Sequence, residues 1–244
     1  MRRFPRSLAA VPAIALPAVF VLSACSAANA EAEAPAPQAT QAVTTDTNTA
    51  MSAVETPSLT LPAGTYVSDL SHSSIVWKVD HLGLSNYTAR FNDFQATLDI
   101  DPNAPEEASL MVTIDPASVA TGYPFTDRTD FDAKVGGDER LLNSAAFPEI
   151  TFTSTEVALT GPDTADVTGD LTMLGVTVPL TLDVTFNGAL ESHPFTSRPM
   201  LGFSATGTLD RTDFGMTYLS GGSVGDEVQI IVEAEFATDP AADE

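Results

Sequence analysis

Apolar and polar residues alternate with a period of two along much of the chain. The most regular runs cover residues 94–100, 165–173, 180–186 and 228–236. Because successive side chains of a strand point to opposite faces, this pattern predicts half-buried β-strands with one wet face. Less regular runs occur near residues 65–69, 73–80, 108–115, 150–158 and 201–210. Together they predict about eight or nine antiparallel strands joined by short links.

Such a series of strands forms either a sandwich or a closed barrel. Several runs are longer than a typical strand, and a long open edge would invite aggregation, so the barrel is favoured. One helical stretch interrupts the strands. Within residues 125–143, the apolar positions follow a partial period of 3.6 that is broken by Gly136 and Gly137. We predict that this helix lies over one end of the barrel.

The N-terminus has the features of an export signal. Three arginines within the first six residues precede a mostly apolar run over residues 8–22. This is the order of the charged and hydrophobic regions in a secretory signal peptide. Two prolines interrupt the run, and it is too short to be a good membrane-spanning helix. We predict that residues 1–24 are a signal peptide.

The signal ends in Leu22-Ser23-Ala24-Cys25, which contains the single cysteine of the chain. This segment resembles a bacterial lipobox, in which the cysteine thiol receives a diacylglyceryl group. It predicts a lipoprotein whose acyl chains, palmitate among them, anchor Cys25 at the periplasmic face of the cell envelope. Ser26 implies, by resemblance to lipoproteins of diderm bacteria, sorting to the outer membrane. The alternative is an ordinary signal peptide cut near residues 28–30, with Cys25 discarded.

Composition divides the rest of the chain into three parts. Residues 25–61 are rich in Ala, Thr, Pro and Glu and contain no Phe, Tyr or Trp. They cannot bury enough apolar area to offset chain entropy, which predicts a disordered tether. Residues 62–237 carry the strand pattern and have the length of a single domain. Residues 238–244 form a short acidic tail.

Charge and cysteine content exclude several kinds of site. The chain has 33 Asp and Glu residues against 10 Lys and Arg residues, for a formal net charge of -23. Such a surface repels phosphate backbones, which excludes nucleic acid as a partner. A single cysteine permits no intramolecular disulfide and no Cys-based zinc or iron–sulfur site.

Catalytic and metal-binding signals are weak. Gly221-Gly222-Ser223-Val224-Gly225 matches a nucleophile elbow, but a predicted strand follows it where the elbow needs a helix. His72 and His81 have odd spacing across a predicted strand and so point to opposite faces, while His193 stands alone. We therefore predict no catalytic residues, no metal site and no cofactor.

Phenylalanine is the informative residue type. Of the 13 Phe residues, 11 lie in the predicted domain, which has a single tryptophan, Trp77. A barrel of about eight strands either fills its interior with side chains or holds one elongated ligand, and an aromatic lining without convergent charges suits an apolar ligand. The residues alone leave both interpretations open.

A series of motifs runs through nearly the whole domain. In chain order they are Gly64-Thr65-Tyr66, His72-Ser73, residues 75–79 leading to His81, Phe91-Asn92-Asp93-Phe94, residues 118–122 followed by Asp127-Arg128, and the segments 147–154, 169–177 and 210–216. These motifs resemble those of the YceI-like proteins, a lipocalin-like family of bacterial envelope barrels. Residues 169–177 are the most specific stretch. Val178 and Asp127-Arg128-Thr129 depart from the family pattern, which affects polar contacts at the barrel mouth more than the fold.

The resemblance implies an all-β fold, an eight-stranded antiparallel lipocalin-like barrel with an internal channel for a long isoprenoid or quinone-like lipid. It also implies a periplasmic or envelope location and a carrier or storage role rather than catalysis. Two alternatives stay open: an enzyme that processes a lipid or amide, and a ligand-free structural or stress-related envelope module. The sequence leaves the oligomeric state open, a homodimer included.

Apolar positions of the strand runs and the helix give the predicted ligand-binding residues. They are Trp77, Phe91, Phe94, Val112, Ile114, Phe131, Phe147, Phe152, Leu171, Met173 and Phe203. Arg128 and Arg211 are candidates for a headgroup contact at the channel mouth, since an arginine fork suits carbonyl or phosphate oxygens. The alternative is local ion pairing, of Arg211 with Asp210 or Asp213, and of Arg128 with Asp127 or Asp130.

Overall fold

The computed structural model describes residues 60–239. The predictions for the signal peptide, for Cys25, and for most of the tether and tail lie outside the described residues. Within them, the strands are β1 (Gly64–Ser68), β2 (Ser74–His81), β3 (Ser85–Phe91), β4 (Phe94–Ile100), β5 (Ser109–Ile114), β6 (Val119–Ala120), β7 (Ile150–Leu159), β8 (Thr164–Met173), β9 (Val176–Leu190), β10 (Met200–Asp210) and β11 (Val224–Thr238), and the one α-helix is α1 (Phe131–Gly137).

Eight of these strands close into a ring. Their order is β1, β4, β5, β7, β8, β9, β10, β11, and β11 pairs back to β1 through Val67 and Ala237. Every neighbouring pair is antiparallel. The predicted eight-stranded antiparallel barrel is confirmed.

One edge of β11 has two partners. Its C-terminal part pairs with β1, and its N-terminal part pairs with β2, where Val232 lies opposite Ile75. β3 then pairs with β2, and the chain bends at Asn92 and Asp93 into β4, which pairs with β1. Ser118 stabilises the bend, because its hydroxyl accepts the Asp93 N–H at 3.0 Å. The wall beside β11 is therefore β1 and β4 at one end of the barrel and β2 and β3 at the other.

The connections gather at two ends, which follow from the antiparallel order. The α1 end carries α1, the β2–β3 turn at residues 82–84 and the β10–β11 connection at residues 211–223. The far end carries the β4–β5 connection at residues 101–108 and the β9–β10 connection at residues 191–199. Thr60, the first described residue, hydrogen-bonds to Glu191 at the far end.

The helix is shorter than the stretch of residues 125–143 in which it was predicted. It begins at Phe131 because the Asp130 side chain accepts the Ala133 N–H at 2.9 Å, an N-cap. It ends at Gly137, followed by Asp138 in an extended conformation. A Cβ on Gly136 would lie 3.3 Å from the Pro116 carbonyl oxygen, so glycine lets the helix pack closely on that segment. No helix of residues 60–239 is long and apolar enough to cross a membrane.

The apolar faces of the strands turn inward as their alternation predicts. On β8, Val167, Leu171 and Met173 are buried while Asp166 and Asp170 are exposed. A second buried cluster at the far end surrounds Tyr66, which is fully buried and donates its hydroxyl to the Pro62 carbonyl at 2.8 Å. Burial raises the pKa of the Tyr66 hydroxyl. This cluster attaches the start of the described chain to the barrel.

Position 169 on β8 must be a glycine because the ring of Phe152, on the neighbouring strand β7, occupies the space of a Cβ. A Cβ on Gly169 would lie 2.5 Å from Cζ of Phe152 and 2.5 Å from the carbonyl oxygen of Thr153. Both distances are far inside van der Waals contact. Because one of the two atoms is backbone, a side-chain rotation alone cannot relieve the clash. The absence of a side chain at Gly169 thus allows Phe152 to lie across β8.

We expect Gly169→Ala to lower the free energy of unfolding by about 1–3 kcal/mol, the usual cost of overpacking a core. Gly222→Ala is the matched control, since a Cβ there meets nothing within 4 Å and the backbone has no positive φ. Urea denaturation of both variants measures the difference. Equal stability of the two variants would contradict the close approach of Phe152.

Candidate functional site

The barrel encloses a cavity of about 590 Å³. This volume is within the range of small-molecule binding sites. The side chains around it come from both ends of the barrel, from Pro105 and Pro162 at the far end to Leu219 and Val224 at the α1 end. The cavity is therefore elongated along the barrel. The buried side chains of the barrel interior therefore leave a binding-sized channel between them.

Small residues at inward positions leave this space. Ala96, Ala165 and Ala205 line the cavity between larger side chains such as Leu182 and Ile230. A barrel of eight strands is just wide enough for side chains to fill it. Short side chains at several inward positions therefore open a channel. Alternation alone could not reveal the channel, because it marks which residues face inward and says nothing of the volume that remains between them.

Ten of the eleven apolar residues predicted to bind a ligand line this cavity. They are Trp77, Phe91, Phe94, Val112, Ile114, Phe131, Phe152, Leu171, Met173 and Phe203. The structure thus gathers residues from strands β2, β3, β4, β5, β7, β8 and β10 and from α1 around one space. That they contact a ligand stays a prediction.

Phe147 does not belong to the lining. Its ring lies at the β8–β9 turn, where a Cβ on Gly175 would be 2.9 Å from Phe147 Cε1. The residue precedes β7 and lies in the connection that follows α1, so the alternation of β7 does not set its direction. The predicted place of Phe147 in the cavity wall is therefore wrong.

Polar side chains line the cavity mainly at its ends. Asp80, His81, Lys134 and Tyr218 contribute at the α1 end, and Asp163 and Thr164 at the far end. The sequence pattern did not indicate these polar residues as part of the cavity wall. Lys134 was detectable in principle, since it is one of few basic residues and lies in the predicted helix, but its place beside the cavity depends on how α1 packs on the barrel.

Arg211 is buried, with 4% of its surface exposed. Its guanidinium donates to the carbonyl oxygens of Gly225 (2.7 Å), Met216 (2.5 Å), Tyr218 (3.0 Å) and Val224 (3.2 Å), and to Asp226 Oδ1 (3.1 Å). The predicted pairing with Asp210 or Asp213 is wrong, because the ion pair is with Asp226. Arg211 touches the cavity wall, but its five N–H groups are engaged in holding the β10–β11 connection.

Arg128 is exposed and lies outside the cavity lining. Its guanidinium carbon lies 4.6 Å from the centre of the Phe125 ring, a cation–π contact. Within residues 60–239, no ion pair joins Arg128 to Asp127 or Asp130, so the predicted local pairing is wrong here too. The aromatic ring provides the contact instead.

A series of aromatic rings leads from the cavity through Phe131 of α1 to the surface. Ring centres are separated by 6.5 Å from Trp77 to Tyr87, 6.1 Å from Tyr87 to Phe131, 5.2 Å from Phe131 to Tyr123 and 5.7 Å from Tyr123 to Phe125. Phe125, the last, is 46% exposed. The apolar surface of the cavity is thus continuous with apolar surface at the α1 end.

One group of possible metal ligands lies outside the barrel. The ligand atoms of Asp69, His72 and Glu235 lie within 4.8 Å of one another. Spacing along the sequence relates His72 only to His81. Glu235 contacts His72 from the distant strand β11. Asp69 hydrogen-bonds to His72 Nδ1 at 2.9 Å, and this contact raises the pKa of the exposed imidazole. The hydrogen bond between Asp69 and His72 accounts for the proximity of these two side chains.

Residues 66–236 match the family model of the YceI-like domain. The chain belongs to the YceI family. Its relatives include a UPF0312 protein of Pseudomonas putida strain GB-1, 39% identical over 145 residues that cover 59% of this chain and 71% of that protein. Another is the UPF0312 protein of Pseudomonas syringae pv. tomato, 37% identical over 156 residues that cover 63% of this chain and 77% of the relative.

Solved structures share the YceI barrel. BcnA of Burkholderia cenocepacia has a TM-score of 0.59 at 25% identity, covering 69% of this chain and 98% of BcnA. The YCEI protein of Campylobacter jejuni has a TM-score of 0.54 at 27% identity, covering 66% of this chain and 91% of that protein. A polyisoprenoid binding domain from Saccharophagus degradans has a TM-score of 0.50 at 14% identity, covering 73% of this chain and 100% of the domain, which is a likeness of fold alone.

We expect Arg211→Met in the YceI barrel to lower the free energy of unfolding by about 3 kcal/mol, because it leaves several buried carbonyls without a donor. Arg128→Met is the matched control, with an exposed side chain, and should leave stability unchanged. Guanidinium denaturation followed by circular dichroism compares them. A stable Arg211→Met protein would show that these hydrogen bonds are dispensable.

Proposed function

We propose that the YceI domain binds a long apolar lipid, an isoprenoid or quinone-like chain, inside its barrel and serves as a carrier or store for it. The observation that carries this proposal is the elongated cavity of about 590 Å³ with an almost wholly apolar wall. A wall of this kind offers few hydrogen bonds to a polar compound. Binding would draw on the removal of apolar area from water, roughly 25 cal/mol per Å².

The shape of the cavity favours a chain over a compact molecule. Its lining extends from residues 102–108 at the far end to residues 216–224 at the α1 end. A flexible unbranched or repeating chain can follow such a channel through its length. The long prenyl chain of an isoprenoid has this form.

The polar residues at the cavity ends support one orientation of the lipid. His81, Lys134 and Tyr218 offer donors at the α1 end, where the Asp80 carboxylate accepts the Gly83 N–H at 2.9 Å, whereas the far end offers Thr164 beside the Asp163 carboxylate. Oxygen atoms of a headgroup accept hydrogen bonds and are repelled by a carboxylate. The headgroup therefore belongs at the α1 end, where Lys134 takes the role first considered for Arg128 and Arg211.

The comparisons support the proposal at the level of the family and fold. The Saccharophagus domain is described as polyisoprenoid binding, and it resembles this chain in fold alone. The proposal that this chain binds a lipid therefore rests on the cavity. A filled structural module disagrees with the open channel. No arrangement of nucleophile and base among the described residues favours an enzyme.

The tether and anchor complete the proposed function. Lipobox-like residues 22–25 support an acylated Cys25, and residues 25–61 support a flexible connection between that anchor and the barrel. A barrel held in this way would collect or deliver its lipid at the periplasmic face of the envelope, with the outer membrane as the proposed site.

We expect Phe152→Asp to lower the amount of copurifying lipid at least about tenfold, because an unpaired carboxylate would face the apolar channel. Thr153→Asp is the matched control, since the next residue of β7 is exposed on the outer face. Mass spectrometry of lipid extracted from each purified protein gives the ratio.

Phe152→Asp could unfold the barrel, so Ala205→Phe provides a second test. Ala205 lines the channel, and a phenyl ring there would obstruct it without adding charge. Circular dichroism establishes that each variant is folded. Unchanged lipid in folded Phe152→Asp and Ala205→Phe proteins would place the ligand elsewhere and refute the proposal.

We expect Cys25→Ser to abolish the membrane association that resists an alkaline carbonate wash in the native host, because the thiol that receives the acyl chain is gone. Ser26→Ala, which keeps the cysteine, should remain in the membrane fraction. Fractionation and intact-mass measurement follow both proteins. A processed Cys25→Ser protein that still resists the carbonate wash would rule out the proposed anchor.

A further inference from the structure

Exposed apolar side chains surround the α1 end of the barrel. Leu82 is 52% exposed, Leu84 82%, Phe125 46% and Leu219 45%. We call these four residues the apolar rim. Two of the loops that carry them are joined, since the Leu82 N–H donates to the Ser223 carbonyl oxygen at 3.2 Å. The rim is therefore built on connected segments of the folded domain.

The backbone holds two rim leucines in a conformation that leucine seldom adopts. Leu82 has φ of 60° and Leu219 has φ of 61°, both in the left-handed region. Turns of this kind favour Asn, Asp or Gly, which reach positive φ with less strain. Local turn chemistry therefore does not explain a leucine at either position. An apolar contact made by these side chains would explain them.

The rim adjoins the end of the cavity. Leu219 is both exposed and part of the cavity lining, and its neighbours Tyr218 and Val224 line the cavity as well. On the other side, the aromatic series that ends at Phe125 begins at Trp77 inside the channel. The apolar interior and the apolar rim thus form one continuous surface.

The charge of the chain indicates the kind of apolar partner. A net charge of -23 opposes approach to an anionic surface. At the rim, Arg128 stacks on Phe125 and Arg140 lies 3.9 Å from the centre of the Tyr218 ring. Aromatic and leucine side chains beside basic groups suit the interface between lipid headgroups and acyl chains. The described chain begins at the far end, where Thr60 hydrogen-bonds to Glu191, opposite the α1 end.

We propose that the α1 end docks on a lipid bilayer by inserting the apolar rim, so that a lipid passes between membrane and channel without crossing water. The docking stands on the rim alone, whereas the transfer of lipid rests on the proposed function. Because the chain is acidic, a zwitterionic bilayer should bind better than an anionic one.

The test uses the chain from residue 25 with Cys25→Ser, so that neither the apolar leader nor an acyl chain binds membrane. Vesicles of phosphatidylcholine are mixed with the protein and floated on a density gradient. We expect Leu84→Ser to reduce the floated fraction about tenfold. Phe195→Ser is the matched control, since Phe195 is 90% exposed in the connection at the far end and should leave flotation unchanged.

Three outcomes would overturn the docking proposal: no flotation of the parent protein, unchanged flotation of Leu84→Ser, or an equal loss with Phe195→Ser. Binding of a fluorescent prenyl lipid in detergent, measured on the same proteins, keeps the two proposals separate. Rim-dependent flotation without lipid binding would support docking and refute the carrier function. Lipid binding without rim-dependent flotation would support the carrier function and refute docking.

Discussion

The division of one edge of β11 between two strands is the constraint on which the architecture depends. β1 takes the C-terminal part of that edge and closes the eight-strand ring, while β2 takes the N-terminal part. Had β1 occupied the whole edge, β2, β3 and β6 would have no place in the wall. Because the edge is shared, both ends of β11 are paired, and no long open edge is left beside it.

The same division shapes the two ends of the channel. At the far end the wall is complete through β1 and β4. At the α1 end the β2–β3–β6 branch stops at the two-residue strand β6, and α1 packs beside it, with Asp132 accepting the Thr121 N–H at 2.8 Å. The helix therefore stands where the sheet ends. The channel, its donors and the apolar rim meet at this end because the wall there is made of loops and a helix instead of a continuous sheet.

Two of the basic residues in this acidic barrel stabilise its structure. Arg211 uses its fork on backbone carbonyls, as a buried guanidinium must if its desolvation is to be offset. Arg140 forms a bidentate pair with Asp138, at 2.9 and 2.7 Å, and lies against the Tyr218 ring. This leaves Lys134 as the cation that lines the channel without an ion pair among the described residues.

The sequence by itself determined most of the strands, their inward faces and the presence of one helix within residues 125–143. Val167, Leu171 and Met173 face inward because alternation is a property of adjacent residues. Tertiary structure alone decided the rest. Closure joins residues as distant as Ser73 and Glu235. Phe147 lies against Gly175. Arg211 finds its acceptors in the β10–β11 connection and at the start of β11. Such contacts, and the volume left between inward side chains, depend on how remote segments pack, which no local pattern encodes.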